Sequence, residues 1–247
     1  NDVITLEKSR GKNAFTGDAN YLALSGGGDD GAFGAGLLVA WTKQGSRPSF
    51  NLVTGISTGA LIAPFAYLGK DYDPILQAVY TSIKPNDVYL ERSILSGIFS
   101  DGLADSTPLY QLISKYVDDN FLKKIAYEYE TNGRWLLIGT TNIDAGQPVI
   151  WNMGRIASIG TPASLELFRR IMLASASIPG AFPPVMFDFL LDEQVFQEMH
   201  VDGGASTQVF LYPASAAVRA KELGIQRRAN RQVFIIRNSR LDPRWNE

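Results

Sequence analysis

The chain has 247 residues, with 23 Lys and Arg against 25 Asp and Glu, a single histidine and no cysteine. Length and a hydrophobic fraction of 45% support one sizeable core. The near-neutral charge offers no basic surplus for nucleic acid, and the missing cysteines exclude disulfides, thiol nucleophiles and thiolate metal sites. One imidazole, His200, is too few for a zinc centre built on histidines. Neither a metal nor a cofactor is expected. No apolar run reaches the roughly 18 residues of a membrane span. The chain begins at Asn1 rather than Met, so removal of an upstream segment, as in export, is an expectation. Oligomeric state is not legible.

Residues 1–19 read as a loosely held arm. Tyr21-Leu22-Ala23-Leu24-Ser25 is a short apolar run ending in glycines, hence a buried strand. The turn Gly26-Gly27-Gly28-Asp29-Asp30-Gly31 follows, then a buried helix over residues 32–41 with small residues on one side. A second unit repeats the pattern: Phe50, Leu52 and Val53 lead into Gly55-Ile56-Ser57-Thr58-Gly59, and an apolar helix runs over residues 60–68. Two successive β-turn-α units predict an α/β fold with a mostly parallel sheet.

Residues 70–133 carry no strand signal and read as a helical layer, with a cap over the site as the functional alternative. Within it, Thr107 as N-cap and Pro108 at the first position start a helix whose Leu109, Leu112, Ile113, Tyr116 and Val117 share a face. Residues 135–141 and 147–151 form a hairpin around Asp144-Ala145-Gly146. Thr161-Pro162 opens a helix to about Ala174 with Leu165, Phe168, Ile171 and Met172 inward, and residues 177–184 are a proline-fixed loop. Met199-His200-Val201 is a short strand leading to Asp202-Gly203-Gly204. A helix over residues 213–223, stopped by Gly224, and a strand over residues 232–236 complete the chain. With no repeat, linker or low-complexity segment, residues 1–247 are expected to form one domain. Arg227, Arg228 and Arg231 read as a solvated loop, with peripheral contact to an anionic membrane as the alternative.

The chemistry gathers around Ser57. Strand, tight turn and helix thrust its hydroxyl out at the strand's carboxyl end, where the helix aims its free N–H groups. A serine nucleophile needs a base and an oxyanion site. His200 is the usual kind of base, but it precedes Asp202 by two positions on one strand face, beside it rather than in relay with it. A partly exposed strand histidine is the plainer expectation. Asp202, at a strand end before two glycines, is the better base candidate, and desolvation would raise its basicity. The spacing Gly26-x-Gly28-x-x-Gly31 also fits a dinucleotide loop, but Asp29 and Asp30 place negative charge where phosphate would sit. The loop suits an oxyanion better. Gly26, Gly27, Gly28 and Thr58 are the candidate donors, with Gly27 and Gly28 favoured and Thr58 assisting.

Four motifs in order resemble the patatin-like phospholipases: Gly26–Gly31, Gly55–Gly59, the block over residues 173–184 as Ala-Ser-x-x-Ile-Pro-x-x-Phe-Pro-Pro, and Asp202–Gly204. The resemblance spans residues 21–238. It implies a three-layer α/β/α fold, a Ser57–Asp202 dyad without histidine, the glycine loop as oxyanion hole, and hydrolysis of lipid acyl esters without a cofactor. Gly31, Gly55, Gly59, Gly203 and Gly204 complete the motifs. Many members carry Arg or Lys where this chain has Asp30. That departure makes neutral or zwitterionic esters as eligible as anionic phospholipids. The alternatives are a lipid-binding protein without catalysis, and an acyltransferase using the same acyl-enzyme.

Overall fold

Four strands lie side by side in parallel, β1 (Ala19–Leu24), β2 (Leu52–Ile56), β3 (Trp135–Asn142) and β7 (Arg231–Ile236), in the order β3-β2-β1-β7. The computed structural model describes residues 18–81, 105–211 and 230–239. All five residues of β2 are buried. That is why its sequence lacks alternation: both faces of a parallel sheet are covered. The covering comes from helices. α1 (Gly31–Gln44) follows β1 and α2 (Thr58–Leu68) follows β2. α3 (Asp73–Thr81) packs on α1 and α2, while α4 (Thr107–Tyr116) and α5 (Asp119–Glu130) extend the helical material. α6 (Met153–Ser158) and α7 (Pro162–Ser175) pack against β3. The result is a mixed α/β fold whose central strands are parallel and flanked by helices, as expected.

Three further strands are antiparallel. β4 (Gln147–Asn152) forms the expected hairpin with β3. β5 (Val185–Leu191) and β6 (Gln194–Asp202) form a second hairpin, with Val185 opposite His200. The sequence reading missed β5 and saw only the last part of β6. The turn between them, Asp192-Glu193, has positive φ at both residues (48° and 64°) without the Asn-Gly or Asp-Gly that usually marks such a turn.

The register around β3 places the site. β4 occupies one edge of β3 from Leu137 to Asn142. β2 and β6 must therefore share the other edge. β2 pairs there until Ile56 meets Gly139, and β6 takes over where Asp202 meets Thr140. The carboxyl ends of β2 and β6 thus abut, one rung apart.

Some helix details differ from expectation. α1 is not fully buried: Gly31, Gly34, Ala35 and Leu38 face the core, while Phe33 and Leu37 are exposed. The N-cap of α4 is Ser106, with Thr107 and Pro108 inside the first turn. α7 does begin at the Thr161 cap, with a reciprocal Thr161–Ser164 capping box, and Leu165, Phe168, Ile171 and Met172 are buried. Residues 1–17 of the expected arm, residues 82–104 of the expected cap, and the expected helix at 213–223 lie outside the described residues. So do Arg227 and Arg228. Arg231 starts β7 with its guanidinium over the Tyr21 ring. Among the described residues, no helix is long and apolar enough to cross a membrane.

Candidate active site

Ser57 joins β2 to α2 with φ 55° and ψ −127°, a conformation that L residues rarely adopt. Holding a non-glycine residue there costs about 1–3 kcal/mol, so the surroundings must enforce it. Two contacts do so from within the motif. A Cβ on Gly55 would lie 2.4 Å from the Gly59 carbonyl oxygen, and one on Gly59 would lie 2.4 Å from that of Leu24. The strand and helix of the elbow therefore close on each other and on β1 as no larger residue would allow.

A third contact comes from α7. The Ser57 N–H donates to Ser175 Oγ at 3.0 Å, and Ser175 Oγ donates to the Gly139 carbonyl at 2.7 Å. The sequence reading had placed Ser175 in a motif block but gave it no role. Its signal was a serine closing the apolar run Ile171-Met172-Leu173-Ala174 at the buried end of the helix.

Asp202 ends β6 and is 4% exposed. Its N–H donates to the Ser177 carbonyl at 2.8 Å, and its Oδ1 accepts from the Gly204 N–H at 2.6 Å. Gly203 lets the turn press on β3, since a Cβ there would lie 2.5 Å from the Gly139 carbonyl oxygen. Oδ2 is buried without a hydrogen-bond partner among the described residues. The Ser57 hydroxyl stands close enough to act on the carboxylate as a donor, short of a formed hydrogen bond. Such bonds often tighten only when substrate arrives. Burial pushes the Asp202 carboxyl up to about 6, against the Ser57 hydroxyl and the Gly204 N–H, which pull it down.

The glycine loop lies over the same point. A Cβ on Gly26 would lie 3.1 Å from Ser57 Cβ. Its N–H donates to the Gln208 carbonyl at 3.3 Å. Gly27 caps a short 3-10 turn whose first residue is Gly28, and Thr58 is the first residue of α2. These are positions where backbone donors have no intrahelical partner. Gly28 adopts φ 57°. Gly31 sits against Thr58, where a Cβ would fall 2.0 Å from Thr58 Oγ1. The Thr58 hydroxyl shares a hydrogen bond with Tyr80 Oη at 3.0 Å.

Asn238, beyond the end of β7, anchors the loop and was also missed. Its N–H donates to Ser25 Oγ at 2.9 Å and its Nδ2 to the Ser25 carbonyl at 2.8 Å. Its main chain fills the space beside Gly27, where a Cβ would lie 2.7 Å from its carbonyl.

His200 is elsewhere. It is fully buried, not partly exposed, with its ring against Trp151 and Phe187. Nδ1 meets Thr140 Oγ1 at 2.8 Å and Nε2 meets Glu198 at 3.3 Å. Burial pushes its pKa down, while Glu198 pulls it back up. The geometry gives His200 no contact with Ser57. Asp29 and Asp30 are exposed on the outer side of the loop. Among the described residues no cluster of acidic or imidazole groups could hold a metal ion.

Among solved structures, the crystal structure of VipD from Legionella pneumophila is similar at 13% identity and a TM-score of 0.47, over 89% of this chain and 49% of that one. This chain spans about half the length of that protein. No curated protein matches. A family model described as patatin-like phospholipase matches residues 22–215, well over half of the chain, and takes in the glycine loop, the elbow and the Asp202 turn. The chain belongs to the patatin-like phospholipase family.

Proposed function

We propose that the protein hydrolyses carboxylic esters of lipids through Ser57 and Asp202. The observation that carries this reading is the abutment of β2 and β6 on one edge of β3, which brings a strained serine to a buried carboxylate with one free oxygen. Ser57 Oγ attacks the ester carbonyl while Asp202 takes its proton. The negative oxygen that forms is held by the N–H groups of Gly27 and Gly28, assisted by Thr58. The alcohol leaves with the proton from Asp202. A water, deprotonated by Asp202, then attacks the acyl-enzyme, and Ser57 recovers its proton as the acid departs. A carboxyl with a pKa of about 6 is ionised at neutral pH, yet is a far stronger base than a free aspartate.

The test is labelling by a fluorophosphonate, together with turnover of p-nitrophenyl esters of graded chain length. Wild type should label at Ser57 and turn over. Ser57→Ala and Asp202→Asn should each lose turnover while keeping the folded signal. Full activity in Asp202→Asn with loss in His200→Ala would replace the dyad by a histidine mechanism. A folded, unlabelled wild type would leave lipid binding without catalysis.

A further inference from the structure

The last rung between β2 and β3 joins Ile56 and Gly139. Beyond it the Ser57 N–H makes no direct bond to β3, and the Ser175 hydroxyl bridges the two. It accepts from Ser57 N–H and donates to the Gly139 carbonyl, so both buried main-chain groups are satisfied through one oxygen. Ser175 is 0% exposed and its rotation is fixed by the two bonds. Two residues on, the Ser177 carbonyl receives the N–H of Asp202. The nucleophile and the carboxylate are therefore both tied to one short piece of chain, the carboxyl end of α7.

We propose that Ser175 is a positioning residue for catalysis: its hydroxyl sets the elbow's height over β3, and hence the reach of Ser57 Oγ to Asp202. The proposal rests on Ser57 as the nucleophile. Without the hydroxyl, the Ser57 N–H and the Gly139 carbonyl, which make no direct bond to each other, both lose their partner. The elbow must settle toward β3 or lose the bond, and either movement shifts Ser57 relative to an Asp202 still held through Ser177. Displacing a reacting group by about 1 Å lowers a rate by roughly 100-fold.

The experiment compares wild type, Ser175→Ala and Ser175→Cys, with Ser57→Ala as the blank. Cysteine fills the space that alanine leaves void but is a weak hydrogen-bond partner, so it tests the bridge apart from the void. Each protein is titrated with a fluorophosphonate to count reactive Ser57, and p-nitrophenyl ester turnover is expressed per titrated site. Ser175→Ala should lose roughly 100-fold in kcat per titrated site with KM within about twofold, and Ser175→Cys should fall between it and wild type. If Ser175→Ala does not fold, the loss in Ser175→Cys decides. A merely structural role would lower the melting temperature and the titrated fraction but leave kcat per titrated site unchanged in both variants, and that result overturns the proposal. Absence of Ser57 labelling in wild type is a different failure: it removes the nucleophile, and the role of Ser175 with it.

Discussion

Replacing Asp202 by asparagine should abolish activity and make the protein more stable. The carboxyl is 4% exposed, and one oxygen lacks a partner. Its pKa is about 6 in the folded chain against 3.8 for the free side chain. That difference is worth about 3 kcal/mol. The sign follows from proton binding. Below about pH 4 both folded and unfolded chains hold the proton, and the site carries no charge penalty. Between about pH 4 and 6 the unfolded chain releases the proton while the folded chain retains it, so stability falls as pH rises. Above about pH 6 the full cost is present. Asparagine keeps the acceptor for Gly204 N–H and carries no charge. At pH 8 the variant should therefore melt roughly 6–12 °C above wild type, at about 2–4 °C per kcal/mol for a chain of this size. At pH 4 most of that advantage should be gone. Thermal melts of both proteins from pH 4 to pH 8, followed by circular dichroism, provide the assay. Equal melting temperatures at pH 8, or an advantage undiminished at pH 4, would refute the account of Asp202 as a buried, costly base. Wild-type kcat/KM should rise with pH through about 6, as the carboxyl becomes the ionised base.

Ser57→Gly relieves the φ of 55° and should stabilise the protein by about 1 kcal/mol in urea titration while removing all ester turnover. His200→Ala leaves a void beside Trp151 and Phe187 and should cost about 2–3 kcal/mol. Turnover per titrated site should persist with the same acid limb, and loss of that limb would implicate the imidazole. Asn238→Ala removes the donor to the Ser25 carbonyl and should lower kcat about tenfold with little change in KM, since the loop loses its anchor while Ser57 keeps its own. Unchanged kcat would mean that the loop holds its position without Asn238.

Much of the frame was legible because it is local. The glycines of the elbow and loop mark tight turns between strand and helix, and β2 shows its two-sided burial in the absence of polar alternation. The Thr161-Pro162 start of α7 and the β3–β4 hairpin announce themselves by turn and cap chemistry. The β5–β6 hairpin did not, because its Asp-Glu turn lacks the usual glycine. Ser175 and Asn238 read as ordinary polar residues, since each acts through groups distant in sequence.

The sequence by itself determined that Ser57 stands on a tight turn between strand and helix, that a carboxylate stands at a strand end before two glycines, and that histidine is scarce. Those are properties of neighbouring residues and of counts. Only the tertiary structure decided that the ends of β2 and β6, which carry Ser57 and Asp202, abut, because that depends on which strands share an edge of β3. β4 holds one edge, so β2 and β6 are left to abut on the other. The same placement buries Asp202 and raises its pKa, and it buries His200 beside Trp151 and Phe187 instead. Strand pairing across long stretches of chain, and the desolvation that follows from it, leave no trace in local spacing.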